Sequence, residues 1–248
     1  MLRRALFDRG STTAENRDAE DDFQWRGEGV SRLENLSDIV FAFAISFLVA
    51  TAETPETFDE LVASLIDLVG VGLGFAILLF VWHTHYIFFR RYGLEDGKTV
   101  LLNGVLLFLI LVYVYPLQFL FSFQVDFLTG QFETGQDVGR VLSFEDTPAL
   151  TAIYAVGYGA VFGVFTLLYR HALRRAEDLG LSPVEHLLTR ERIALGSMNV
   201  GVAVAAILLA LVVPAIWSPV VGLVYFAIWP LSVWIRKRYR REMGDLTS

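Results

Sequence analysis

Six stretches of almost uninterrupted apolar sequence constrain this chain more than any other feature: Leu36–Thr51, Leu61–Phe89, Val100–Phe121, Leu150–Tyr169, Ile193–Val213 and Val220–Ile235. At 1.5 Å per residue, about 20 apolar residues cross roughly 30 Å of hydrocarbon. The second stretch is longer and carries Asp67 near its start, so it reads as tilted or as starting among the headgroups. Barrel strands would alternate apolar and polar residues over about ten positions. These runs are continuous, and backbone groups in lipid must be bonded within their own helix. The expected fold is therefore all-α, an integral membrane protein of six transmembrane helices. Composition agrees: 54% of the 248 residues are hydrophobic and 19% charged, against roughly 45–50% and about 25% in soluble domains.

The flanking charges give a direction. Nineteen of the twenty Arg and Lys residues lie before the first run, between the second and third, between the fourth and fifth, or after the sixth. Only Arg140 falls on the other side, where the loops carry Glu53, Glu56, Asp59, Glu60, Asp126, Glu133, Asp137, Glu145 and Asp146. Basic residues stay on the cytoplasmic side, so both termini are expected there. An odd number of spans would break the alternation. The organisation expected is a disordered cytoplasmic tail over 1–30, a six-helix membrane domain over 31–238 and a cytoplasmic tail over 239–248. The stretch Phe123–Ala149 is too polar to span, and Pro214–Pro219 makes a tight hairpin of the last two spans. Residues 1–30 lack the apolar core of a secretory signal.

Several functions are disfavoured at once. The chain has no cysteine, which removes disulfides, thiolate metal sites and a cysteine nucleophile. No phosphate-binding Gly-x-x-x-x-Gly-Lys loop is present, and no span carries Arg at every third position, as a voltage sensor would. The spans hold almost no ionisable cluster at mid-depth, so an enzyme is not expected. No internal repeat supports an inverted-repeat transporter. A structural or chaperone-like membrane protein is a separate reading, and would show no flux in liposomes.

A few polar residues stand out against the apolar background. Asp38 sits just inside the first span, where a carboxylate is costly unless paired; as an ordinary helix start it would merely offset the helix dipole. Arg32 lies about one turn before that span. In the second span Trp82 and His85 share a face, and each ring N–H wants an acceptor, which Asp38 or Ser37 at similar depth could supply. An interfacial aromatic belt is the plainer account. His83 and His85 point about 200° apart on a helix, so a metal pair is not expected. Asn103 in the third span reads as structural glue between helices.

Taken together, Arg32-x-x-x-Leu36-Ser37-Asp38 resembles the Arg-x-x-x-Phe-Ser-Asp signature that opens the transmembrane-protein-175 family of lysosomal and prokaryotic potassium channels. The run Ile39-Val-Phe41-Ala-Phe43-Ala-Ile-Ser46 is similar to that family's Gly-Val-Phe-Ala-Ile-Ala-Ile-Thr. Its second-helix Trp-x-x-His-His is matched at Trp82 and His85, with Tyr86 in place of the second His. Its third-helix Asn and Pro are matched by Asn103 and Pro116. The resemblance implies a homotetramer in the plasma membrane of a prokaryote, without cofactor and without nucleic-acid partner, conducting K⁺ passively through a central pore lined by the first helix. It places the apolar constriction on Phe43, Phe47 and Ala50, and the selectivity hydroxyl on Ser46. It also gathers Arg32, Ser37, Asp38, Trp82 and His85 into a hydrogen-bonded knot that holds the pore helix in register. The family has Ile or Leu at the constriction and Thr at the hydroxyl. A weakly selective cation or proton channel on the same scaffold is the alternative, and packing between helices is the plain reading of the two Phe.

Overall fold

The computed structural model describes residues 23–27, 29–50, 56–129, 146–214 and 221–247. Within them the chain is helical, in six units. Helix α1 spans Arg32–Ala50, α2 Phe58–Tyr92, α3 Gly97–Thr129, α4 Thr147–Arg174 and α5 Pro183–Val212. The sixth unit is a 3₁₀ run over Gly222–Ala227 that continues into α6, Ile228–Thr247. Leu68–Tyr92, Gly97–Leu117, Thr147–Arg174 and Pro183–Val212 are long and apolar enough to cross a membrane. Helix α1, at 19 residues, is also about long enough to do so.

Most helices run past the apolar stretches, because local signals extend them. Ser31 and Glu34 form a reciprocal capping box at α1: the Glu34 N–H donates to Ser31 Oγ at 3.1 Å and the Ser31 N–H to Glu34 Oε2 at 2.9 Å. Ser182 and Glu185 repeat the device at α5, ahead of Pro183. Each satisfies two of the helix's orphan donors. Asp96 caps α3, accepting from the Thr99 N–H at 2.9 Å. It also accepts from His171 at 2.7 Å and Arg175 at 2.8 Å, which ties α3 to the end of α4. Burial pushes the Asp96 carboxyl up, but the Thr99 N–H, the His171 ring and the Thr99 hydroxyl outweigh it and hold the carboxyl at about 2. A lowered carboxylate pKa adds stability above the ordinary value near 3.8, and that stability fades as pH falls through about 2. Asp96→Ala should therefore cost about 1–2 kcal/mol at neutral pH, with most of the difference from wild type gone near pH 2 in a thermal melt.

Packing follows the chain order. Helix α1 lies against α2 and α3, α3 continues to α4, α4 pairs most extensively with α5, and α5 carries α6. A core of Phe41, Ala44, Leu48, Phe88, Phe89, Leu106, Val114 and Leu168 joins the first four helices. Gly157 lets the Tyr113 ring lie on the α4 backbone; a Cβ there would meet ring carbon Cε1 at 1.9 Å.

The expectation of disorder over 1–30 is corrected at Phe23–Gly27. Phe23–Gly27 does not behave as part of a disordered tail but forms a strap across the ends of α2 and α5. Phe23 is buried against Tyr92, and the Arg26 and Gly27 N–H groups both donate to the Arg90 carbonyl. The Arg26 guanidinium grips both Glu185 oxygens at 2.9 and 2.8 Å and reaches the Leu179 carbonyl at 2.7 Å. A burial-driven segment with a bidentate anchor is ordered despite its polar sequence. Residues 239–247 form the end of α6. Arg26→Ala should lower stability by about 2 kcal/mol, the usual loss for hydrogen bonds to a charged group, read as a lower melting temperature of the purified protein. Residues 1–22, Arg140 and the Pro214–Pro219 turn beyond Pro214 lie outside the described residues.

Candidate functional site

The candidate residues converge on α1, and the structure divides them between two edges of that helix. The buried edge runs through Ser37, Phe41, Ala44 and Leu48, at spacings of three and four that keep one stripe against α2 and α3. At its start a relay crosses three helices. Ser37 Oγ donates to the Leu33 carbonyl at 2.8 Å. Its lone pair accepts from Asn103 Nδ2 at 2.9 Å, and Asn103 Oδ1 meets His85 Nε2 at 2.9 Å. Because the amide nitrogen is committed to Ser37, its oxygen must accept, so His85 carries its proton on Nε2. All three side chains are buried, and Phe41 and Phe89 flank the His85 ring at 5.7 and 4.6 Å. A satisfied amide in an apolar setting specifies one register for the helices it joins.

A second bond crosses from α2 to α1 on the more open side. Trp82 Nε1 donates to Asp38 Oδ1 at 2.8 Å, and the Trp82 ring stacks on Tyr86 at 5.8 Å. The expected knot is thus two separate links, Trp82–Asp38 and His85–Asn103–Ser37, although Trp82 and His85 are a turn apart. Asn103 is the centre of the second link. Arg32 does not join either: it is exposed on the first turn of α1. Its long side chain leaves the helix before the depth at which the two links form. His83 and His85 face different ways, the first exposed and the second buried. Among the described residues no group of three possible metal ligands occurs.

The other edge of α1 has no cover within the subunit. Ile39 is 66% and Phe43 60% exposed, and Ser46 is exposed with its hydroxyl donating to the Ala42 carbonyl at 2.8 Å. Ile39, Phe43 and Ser46 follow one another at spacings of four and three, so they form one stripe. Phe47 departs from the expectation that it shares this stripe equally. It is half-buried, with its ring edge on Tyr115 of α3 at 4.9 Å and Phe43 at 6.2 Å. The side chain of Ala50 lies outside the described residues. The arrangement provides a helix fixed along one edge, presenting aromatic rings and a hydroxyl along the other.

Sequence reasoning missed the Arg26–Glu185 clasp and the Asp96–His171–Arg175 cluster. The Ser-x-x-Glu pattern at Ser31 and Ser182 was the available signal for the capping boxes. Nothing local in sequence announced that Arg26 would reach a residue 159 positions away.

Comparison with known proteins bears on the same residues. The pattern of the family described as endosomal/lysosomal potassium channel TMEM175 matches residues 32–116, which contain both links and the free edge of α1. A potassium channel of Marivirga tractuosa is 36% identical over 235 residues, covering 90% of this chain and 94% of that one. The crystal structure of a threonine-to-alanine variant of the potassium channel MtTMEM175, in complex with a nanobody–MBP fusion protein, superposes with a TM-score of 0.79. That pair shares 34% identity over 89% of this chain and 97% of the other. With 36% identity over 90% of its length to a potassium channel and a TM-score of 0.79 to a TMEM175 crystal structure, this chain belongs to the TMEM175 potassium-channel family.

Proposed function

We propose that copies of this chain, four by the family resemblance, surround a central pore that conducts K⁺ passively across a prokaryotic plasma membrane, with both termini in the cytoplasm. The single observation that carries the reading is the division of α1. Its Ser37–Leu48 edge is bolted to α2 and α3, while the Ile39–Phe43–Ser46 edge is left uncovered by its own subunit. Rings of Phe43 around an axis make an apolar constriction that closes by dewetting. The faces of the rings also attract a partly dehydrated cation. Ser46 lies one turn further along, its proton engaged with Ala42, so only its lone pairs face the axis, as a cation requires. Phe47 supports the constriction from behind through Tyr115, and Ala50 continues the stripe in sequence. Asp38 and Trp82 hold the arginine-rich mouth of α1, and Ser37, Asn103 and His85 hold its register. The family is one of ion channels rather than enzymes.

A weakly selective cation channel is the second reading. It is favoured by Ser46, which lacks the methyl that restricts the rotamers of the family's Thr. Purified protein in liposomes, with K⁺ and Na⁺ flux compared, separates the two. K⁺ flux well above Na⁺ flux is expected. Equal fluxes would leave only the weakly selective reading, and no flux from a pure assembly would remove both.

A further inference from the structure

A crevice with a volume of about 900 Å³ lies between α2 and α3 on one side and α4, α5 and α6 on the other, and no residue of α1 lines it. Its walls are mainly apolar, with Phe80 and Ile87 facing Phe162, Leu195 and Ile228. It follows α2 from Ile77 to Ile87 and α4 from Tyr154 to Tyr169, which at 1.5 Å per residue is about 15 to 22 Å. That is long enough for an acyl chain of one leaflet, half of a roughly 30 Å hydrocarbon core. The two helices that border it at the other side run down to Arg192 on α5 and Arg236 on α6, and both arginines line the same end. They stand close enough to act on each other's charge. Glu191 beside them is reached by the charges of Arg91, Arg236 and Arg240, so basic groups dominate this end. Ser232, one turn before Arg236, adds a small polar side chain to the wall.

We infer that the crevice is a binding site for one anionic phospholipid, its acyl chain between α2 and α6 and its phosphate on Arg192 and Arg236. An apolar slot long enough for one leaflet's acyl chain, ending at a basic cluster on the arginine-rich side of the helices, is complementary to such a molecule. A zwitterionic lipid fits the slot but gains less at the arginines. A free anion gains at the arginines but leaves the slot unused. The site is separate from the proposed pore, so it stands or falls independently of the conduction reading.

The test is native mass spectrometry of the detergent-purified full chain incubated with phosphatidylglycerol or phosphatidylcholine. Phosphatidylglycerol should be retained at up to one copy per subunit and in preference to phosphatidylcholine. Arg236→Gln and Arg192→Gln should each weaken its retention roughly fivefold, about 1 kcal/mol per arginine near the membrane surface. Ser232→Trp should fill the slot and expel both lipids while leaving the arginines in place. Inorganic phosphate should not compete. Equal retention of the two lipids, retention unchanged in Arg236→Gln and Ser232→Trp, or displacement by inorganic phosphate would each overturn the assignment. So would a change of assembly mass in Ser232→Trp without a change in lipid, which would make the crevice a seat for a neighbouring subunit.

Discussion

Asn103→Leu should cost about 3 kcal/mol and reduce the recovered assembly more than any other single change in the site. The reason is the asymmetry of buried hydrogen bonds. The side chain is fully buried and serves two partners at 2.9 Å each, Ser37 on α1 and His85 on α2. Leucine restores the volume but leaves the His85 N–H without an acceptor in an apolar site, a penalty of roughly 1–3 kcal/mol. The Ser37 oxygen loses its donor as well. Three helices then lose the buried relay that joins them, and only the Trp82–Asp38 bond and apolar contacts still hold the depth of α1. Thermal melts and size-exclusion profiles measure this directly. The assembly that survives should keep the wild-type reversal potential, because none of the three side chains lies on the uncovered edge. A large shift in reversal potential at normal yield would instead put the relay in the ion path. His85→Ala should act in the same direction.

Phe43→Ala should raise basal K⁺ leak by about tenfold or more and bring Na⁺ flux closer to K⁺ flux. A barrier to permeation need fall by only about 1.4 kcal/mol for a tenfold rate. Removing an exposed ring from every copy at once lowers it by more than that if the rings meet at the axis. The substitution is also structurally mild, since Phe43 is 60% exposed in the subunit and its ring lies beside Phe47 of the same helix. Yield and melting temperature should therefore change little, which separates this result from that of Asn103→Leu. Phe47→Ala is the informative companion. Its ring rests on Tyr115, so its loss should lower stability as well as raise leak.

The fold was largely readable because lipid imposes one solution on the backbone. Continuous apolar runs had to be helices, and the Arg-rich flanks numbered them. The ends were less readable, since α2 and α5 extend into polar sequence under capping and strap contacts that hydropathy does not register. Phe23 and Arg26 illustrate the limit: their role depends on Tyr92 and Glu185, brought near only by the packed helices. Within the site, Trp82 and Asp38 were legible as partners because an indole N–H and a carboxylate at equal depth need each other. Asn103 read as glue without a named partner, since its angle on α3 relative to Ser37 is a tertiary quantity. Phe43 and Phe47 look equivalent in sequence, four apart on one helix. Only the position of Tyr115 distinguishes them, one free and one leaning on α3. Arg32 matched a signature yet stands apart from both links, because sequence proximity along α1 does not set side-chain depth.

The central claim concerns which edge of α1 faces the permeating ion, and the absence of native cysteine allows a clean measurement. Single cysteines at Ile39, Phe43 and Ser46, and at Ala44 and Leu48 as the opposing set, should be tested for block of K⁺ flux by a water-borne thiol reagent. Block is predicted at 39, 43 and 46, with 44 and 48 unaffected. Block confined to the second set, or absent from all five while another helix supplies the sensitive positions, would contradict the account.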